Sequence, residues 1–312
     1  MKRFAFLARC LATAFLAIPS IGVAQEEFDP ATLKPFTAGE KYLGEHETGL
    51  YSGGKNEIPE AHRRAGERLA ATIQPLDVEG NPDPEKGRIV AVSMGHSNVR
   101  EYFNAFAAHL QTRDDLHPRF EFFNCGVGGQ IVPRMMTFRG GTWQAVEQVA
   151  RRPGYSPKQV QVLFLHPTTN TGNRRANAPE PTFPEMSEQM TDDLRKILER
   201  FVETYPNVKI AYLTSDGYRG LARQEPFVWW EAFAIKWLIQ AQIEGKEGTA
   251  FEGPDRKLPW LQWGPYIWDS SWTREQLRDG VHPSDKGKAV FVEKYWGILK
   301  EDPVAQPWMF AK

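Results

Sequence analysis

Cysteine is nearly absent from this chain, with Cys10 and Cys125 the only two among 312 residues. If the N-terminal segment is removed, as argued below, one thiol remains and no intrachain disulfide can support the fold. Cys125, between an apolar run and a pair of glycines, reads as a small buried residue in preference to a nucleophile. Beyond the N-terminus there is no apolar run long enough to cross a bilayer, which excludes stable membrane insertion of the body of the protein. No glycine-rich loop with phosphate or dinucleotide spacing is present, so no organic cofactor is implied. An excess of basic charge is also missing, since 38 Lys and Arg face 39 Asp and Glu. That balance argues against a nucleic-acid partner.

The opening stretch MKRFAFLARCLATAFLAIPSIGVAQEE combines early positive charge, an apolar run and the small residues GVA. This pattern predicts a secretory leader over residues 1–24, cut after Ala24, and an exported protein that is periplasmic or extracellular. Arg9 and Pro19 interrupt the apolar part and argue against a membrane anchor. The leader carries Lys2, Arg3 and Arg9 but no acidic residue, so the mature chain is net acidic and still long enough for a substantial core.

Residues 25–86 are rich in Pro, Gly and charge, with one helical pattern at PEAHRRAGERLAATI, and are expected to form an N-terminal extension wrapping the domain. From Gly87 to residue 312 the pattern becomes alternating. RIVAVS, FEFFN, VQVLFLH and VKIAYLT are short apolar runs, and each is followed by a helical stretch. Such alternation predicts parallel strands near Arg88, Phe120, Val160 and Val208 in one sheet covered by helices on both faces, a single α/β domain. Two stretches, 167–184 and 244–278, interrupt the alternation and are read as insertions. Both follow strands on the side where open α/β sheets bind ligands.

The chemistry is therefore expected at the strand ends. The first strand runs into Gly95-His96-Ser97, which places a hydroxyl at a strand-to-helix corner among helix N-terminal N–H groups. Near the C-terminus, RDGVHPSDKG sets Asp279 three residues before His282, just ahead of the last long helix. A carboxylate at that spacing can orient an imidazole, which is what a serine nucleophile requires of its base. Each motif also has a plain structural reading: Ser97 as a helix cap, and Asp279 to His282 as an N-terminal turn.

Taken together and in order, these blocks resemble the SGNH (GDSL-type) hydrolases. Gly95-His96-Ser97 stands where that family has Gly-Asp-Ser, with His in place of Asp. Asn124-Cys125-Gly126-Val127-Gly128-Gly129 matches the second block, Asn-x-Gly-x-x-Gly. LHPTTNTG replaces the third block and offers Asn170 as the nearest counterpart. Asp279-Gly280-Val281-His282-Pro283 matches the last block in full. The resemblance implies a flavodoxin-like three-layer α/β/α sandwich and ester hydrolysis by Ser97, His282 and Asp279. It also implies an oxyanion hole from the Ser97 N–H, the Gly129 N–H and the Asn170 amide. The expected substrate is a small-molecule, oligosaccharide or polysaccharide ester, above all a carbohydrate O-acetyl ester.

Two other readings stay open on the residues. His96 and His166, at adjacent strand ends, could join His282 and Asp279 around a metal ion, or could instead contact substrate. The stretch PWLQWGPYIWDSSW holds Trp260, Trp263, Trp268 and Trp272. Most of these rings are expected to pack a loop, with one or two, Trp263 and Trp268 foremost, stacking on a sugar. A domain that binds carbohydrate without cleaving it is the third reading.

Overall fold

The computed structural model describes residues 33–169, 181–217, 226–267 and 272–311. The leader expected over residues 1–24, Asn170 and Trp268 lie outside the described residues. In chain order, a two-strand hairpin of β1 (Lys41–Tyr42) and β2 (His46–Glu47) precedes α1 (Glu60–Ala70). Next come β3 (Ile89–Gly95), α2 (Ser97–Leu110), β4 (Phe120–Asn124), α3 (Val132–Met135), α4 (Gly141–Ala150), β5 (Val160–His166) and α5 (Glu185–Thr204). The chain closes with β6 (Ile210–Ser215), α6 (Phe227–Ile243), β7 (Trp260–Tyr266), α7 (Asp285–Glu301) and α8 (Gln306–Met309).

Strands β3 to β7 form one sheet, parallel throughout, in the order β4-β3-β5-β6-β7. The first strand of the sheet thus lies second in space, and the order reverses between β3 and β5. This is the doubly wound order of flavodoxin-like folds, which places a ligand crevice at the carboxyl ends of those two strands. Alternation along β3 shows why helices cover both faces. Val90, Val92 and Met94 join one core with α4, α5 and α6, whereas Ile89 and Ala91 join the other with α1, α2, α7 and α8. All seven residues of β3 are buried, as are all seven of β5, which fits continuous apolar runs in a sheet covered on both sides.

The four strands expected from the apolar runs are those observed. The fifth corrects the reading of 244–278 as an insertion, because Trp260–Tyr266 inside it is the edge strand β7. Its sequence WLQWGPY contains Gly264 and Pro265, and an edge is where a strand tolerates a residue without a backbone N–H. Trp263 belongs to this strand and is buried, its indole N–H donating to Leu50 O at 2.7 Å while the ring packs near Phe36 and Tyr266. The expected sugar contact is therefore a core contact.

The segment 33–58 lies across α6 and β7. Phe36 meets Phe233 edge-on at 4.8 Å between centroids, and Tyr42 meets Trp229 at the same separation. The Trp230 indole donates to the Tyr42 hydroxyl at 3.0 Å. Buried Lys236 donates to Glu47 O at 2.7 Å and Thr48 O at 2.9 Å, so that its ammonium is compensated by the hairpin.

Candidate active site

Ser97 is the first residue of α2, directly after the strand β3 and the extended His96. Gly95 makes this corner possible. Its φ of +147° disfavours a side chain, and a Cβ there would lie 2.4 Å from His166 O. The partly buried Ser97 therefore stands beside the end of β5, at the reversal of strand order.

Asp279 and His282 come from the turn before α7. One carboxylate oxygen of Asp279 accepts from Val281 N at 3.0 Å and His282 N at 2.8 Å, and the other pairs with His282 Nδ1 at 2.9 Å. The turn is closed by the Arg278 N–H donating to His282 O at 2.8 Å, and Ser284 caps the helix that follows by accepting from Gly287 N. The N–H groups of His282 and Val281 and the imidazole hold Asp279 well below the usual carboxylate range, so it is ionised at neutral pH. An ionised carboxylate can only accept, which assigns the proton to His282 Nδ1 and leaves Nε2 with a lone pair. Nε2 lies 3.0 Å from Ser97 Oγ, whose hydroxyl donates to it.

The turn is also docked onto α2. Asn98 Nδ2 donates to Val281 O at 3.0 Å, and Arg278 forms a two-point ion pair with Glu101 at 3.1 and 2.9 Å. The helix that begins at Ser97 thus carries its own fasteners for the turn bearing His282. Neither Asn98 nor Glu101 was singled out from sequence, because their partners lie far along the chain.

The loop after β4 passes over the same helix. Asn124 accepts from Ser93 Oγ and Gly126 N with one atom and donates to Arg100 O with the other. Val127 N donates to Gly95 O at 3.0 Å. Gly129 has φ +72°, and its carbonyl accepts from Arg134 Nη1 at 3.0 Å. Among the described residues its N–H has no backbone partner. The Thr168 carbonyl, beyond β5, accepts from Val132 N at 2.8 Å and ties the two loops together.

His96 and His166 are both buried, at 8% and 0% exposure. His166 Nε2 is 2.9 Å from Asp216 Oδ1, and the two imidazoles meet edge-on with centroids 5.2 Å apart. Burial pushes the His96 pKa down to about 3, helped by His166 and His282 nearby, so His96 is neutral. Among the described residues no three His, Cys, Asp or Glu side chains come together where a metal ion could be held. The arrangement corrects the grouping of His96, His166, His282 and Asp279 as ligands: the first two lie in the interior with Asp216, and the last two face Ser97. Cys125 is buried and its thiol is pushed up to about 12, which leaves it unreactive at neutral pH.

Sequence reasoning also passed over Asp216 and Glu231. Glu231 is an acid in a helix, FVWWEAFAIKWLIQAQI, that is otherwise apolar apart from Lys236 and a few amides. That isolation was the available signal. The same helix carries Trp229, Trp230 and Phe233 into the core, so a carboxylate among them requires a partner.

No protein-family model matches this chain, and no curated protein matches it. Among solved structures it is similar to a member of the lipolytic protein G-D-S-L family from Veillonella parvula, at 13% identity and a TM-score of 0.40, over 68% of this chain and 98% of that one. It is similar also to Axe2, an acetyl-xylooligosaccharide esterase from Geobacillus stearothermophilus, at 15% identity and a TM-score of 0.44, over 73% of this chain and all of that one.

Proposed function

We propose that the protein is an exported serine esterase that removes acyl groups, above all acetyl, from a carbohydrate ester. The observation that carries this reading is the hydrogen-bonded series Asp279, His282, Ser97, with steps of 2.9 and 3.0 Å, at the carboxyl end of the sheet beside its reversal point. In the reaction Ser97 Oγ attacks the ester carbonyl as His282 Nε2 takes its proton. The imidazolium, held by Asp279, then gives that proton to the leaving alcohol. Water repeats the sequence on the acyl-enzyme and frees the acid.

The developing oxyanion needs donors already in place. The Ser97 N–H at the start of α2 and the Gly129 N–H are assigned that part, with the Asn170 amide as third donor. An acetylated oligosaccharide is the substrate class favoured by the resemblance of the motifs, and export is assigned from the leader over residues 1–24.

The test is a covalent aryl phosphonate on the mature chain, followed by peptide mass analysis, together with hydrolysis of a short aryl ester. The expected result is one adduct at Ser97, turnover insensitive to a chelator, and loss of about 10⁴-fold or more in kcat in Ser97→Ala and in His282→Ala, with the double variant hardly worse. Turnover abolished by chelation and surviving Ser97→Ala would replace this reading with a metal-dependent one. Oligosaccharide binding without any cleavage would make the protein a binder.

A further inference from the structure

Two charged side chains interrupt the buried helix α6, and each is 3% exposed. Lys236 is accounted for by the hairpin. Glu231 is not used by the relay at Ser97, yet one oxygen of its carboxylate accepts three hydrogen bonds from two consecutive residues beyond β5. The donors are Thr168 Oγ1 at 3.0 Å, Thr169 N at 2.6 Å and Thr169 Oγ1 at 2.7 Å.

The place of those threonines gives the contact its meaning. Gly95 and His166 are in register at the ends of β3 and β5, so Ser97 and Thr168 each lie two residues beyond the ends of neighbouring strands. Thr168 is held on its other side by Val132 N through its carbonyl, which links the segment to the loop bearing Gly129. We propose that Glu231 is a positioning residue of the active site: from the helix behind, its carboxylate holds the Thr168–Thr169 segment in place as a wall of the site beside Ser97. The inference rests on the esterase reading for its consequence in rate.

Burying a carboxylate is unfavourable unless it is hydrogen-bonded, and an apolar residue would serve a packing role at this point of α6 better. Thr168 and Thr169 offset that cost with three donors to one oxygen, so the carboxylate favours the arrangement that presents them together. Among the described residues the charged group near it is Asp216, just beyond β6, which is bonded in turn to His166. Burial pushes Glu231 up to about 7, with the three hydrogen bonds opposing the rise and Asp216 adding to it. Three donors on one oxygen suit a carboxylate; a protonated acid accepts them poorly. The hold therefore weakens as pH falls through about 7.

The experiment combines amide hydrogen exchange at Thr169 with kinetics on a short aryl acetate, both on the full mature chain. Glu231→Ala is expected to speed exchange of the Thr169 amide by about tenfold or more. It should lower kcat by a similar factor with KM nearly unchanged, since a misplaced wall affects the reacting geometry more than uptake. In the wild type the Thr169 exchange, corrected for intrinsic rate, should change with a midpoint near pH 7, and in Glu231→Gln that step should be gone. If Glu231→Ala does not fold, the double variant Thr168→Val, Thr169→Val removes two of the three donors from the other side and should lower kcat in the same way. Thr169 exchange that ignores both Glu231 variants, or kcat unchanged well below their melting points, overturns the inference. Failure of the esterase reading shows differently, as a wild type that cleaves no aryl acetate and takes no phosphonate; the exchange result does not depend on that outcome.

Discussion

Two imidazole–carboxylate pairs stand at the carboxyl end of the same sheet, each 2.9 Å long. In the first, His282 and Asp279 are three residues apart in one turn, the carboxylate is 41% exposed, and the far nitrogen of the ring meets Ser97 Oγ. In the second, His166 and Asp216 are fifty residues apart on neighbouring strands and buried; among the described residues the far nitrogen of His166 has no partner. The same chemical pair therefore does different things. An exposed, turn-borne pair can take up and return a proton while its charge is stabilised by water and by backbone N–H groups. A buried pair between strand ends joins β5 to β6, and a change of its charge would be costly there.

Replacement of Asp279 by Asn should give the largest effect that separates the two pairs. The amide favours the wrong tautomer of His282, and kcat on an aryl acetate is expected to fall by about 10⁴-fold with little change in melting temperature. A fall of less than tenfold would remove the first pair from the proton path and dissolve the contrast.

Asp216→Ala should act on the fold in place of the rate. Leaving a buried imidazole nitrogen without its partner costs about 1–3 kcal/mol, and a chain of this size should lose about 5 °C in melting temperature, while kcat measured below the transition stays within about threefold of the wild type. A stable variant with a large loss of kcat would make the two pairs functionally alike.

The smallest expected effect concerns the fastening of the first pair to α2. Arg278 is 53% exposed and its partner Glu101 17%, so Arg278→Ala should cost at most about 1 kcal/mol of stability by thermal unfolding. Because the pair helps hold His282 against Ser97, kcat should drop by about three- to tenfold with KM unchanged. No change in kcat would assign the docking of the turn to Asn98 alone.

Much of this arrangement can be read along the chain. Four parallel strands follow from runs such as VQVLFLH and RIVAVS, because a strand covered on both faces is apolar at every position. The hydrogen-bonded series is readable for a similar reason, as Asp279 and His282 lie within one turn and Ser97 follows a strand end marked by Gly95. The fifth strand escapes because its aromatic residues, Gly264 and Pro265 look like a loop, and only its place at the edge of the sheet makes Pro265 acceptable.

The sequence by itself determined the layered α/β architecture, the strand end at Gly95 that brings the Ser97 hydroxyl to the sheet's carboxyl side, and the local pairing of Asp279 with His282. These depend on periodicity and on contacts within a few residues. Only the tertiary structure decided that His96 and His166 are buried, that Trp263 is a core residue, and that Glu231 reaches Thr168 and Thr169. Each of those rests on side chains brought together from about 50 residues or more apart in sequence, or on which face of an element is covered, and burial, which sets the charge and reach of a polar group, is a property of the whole packing.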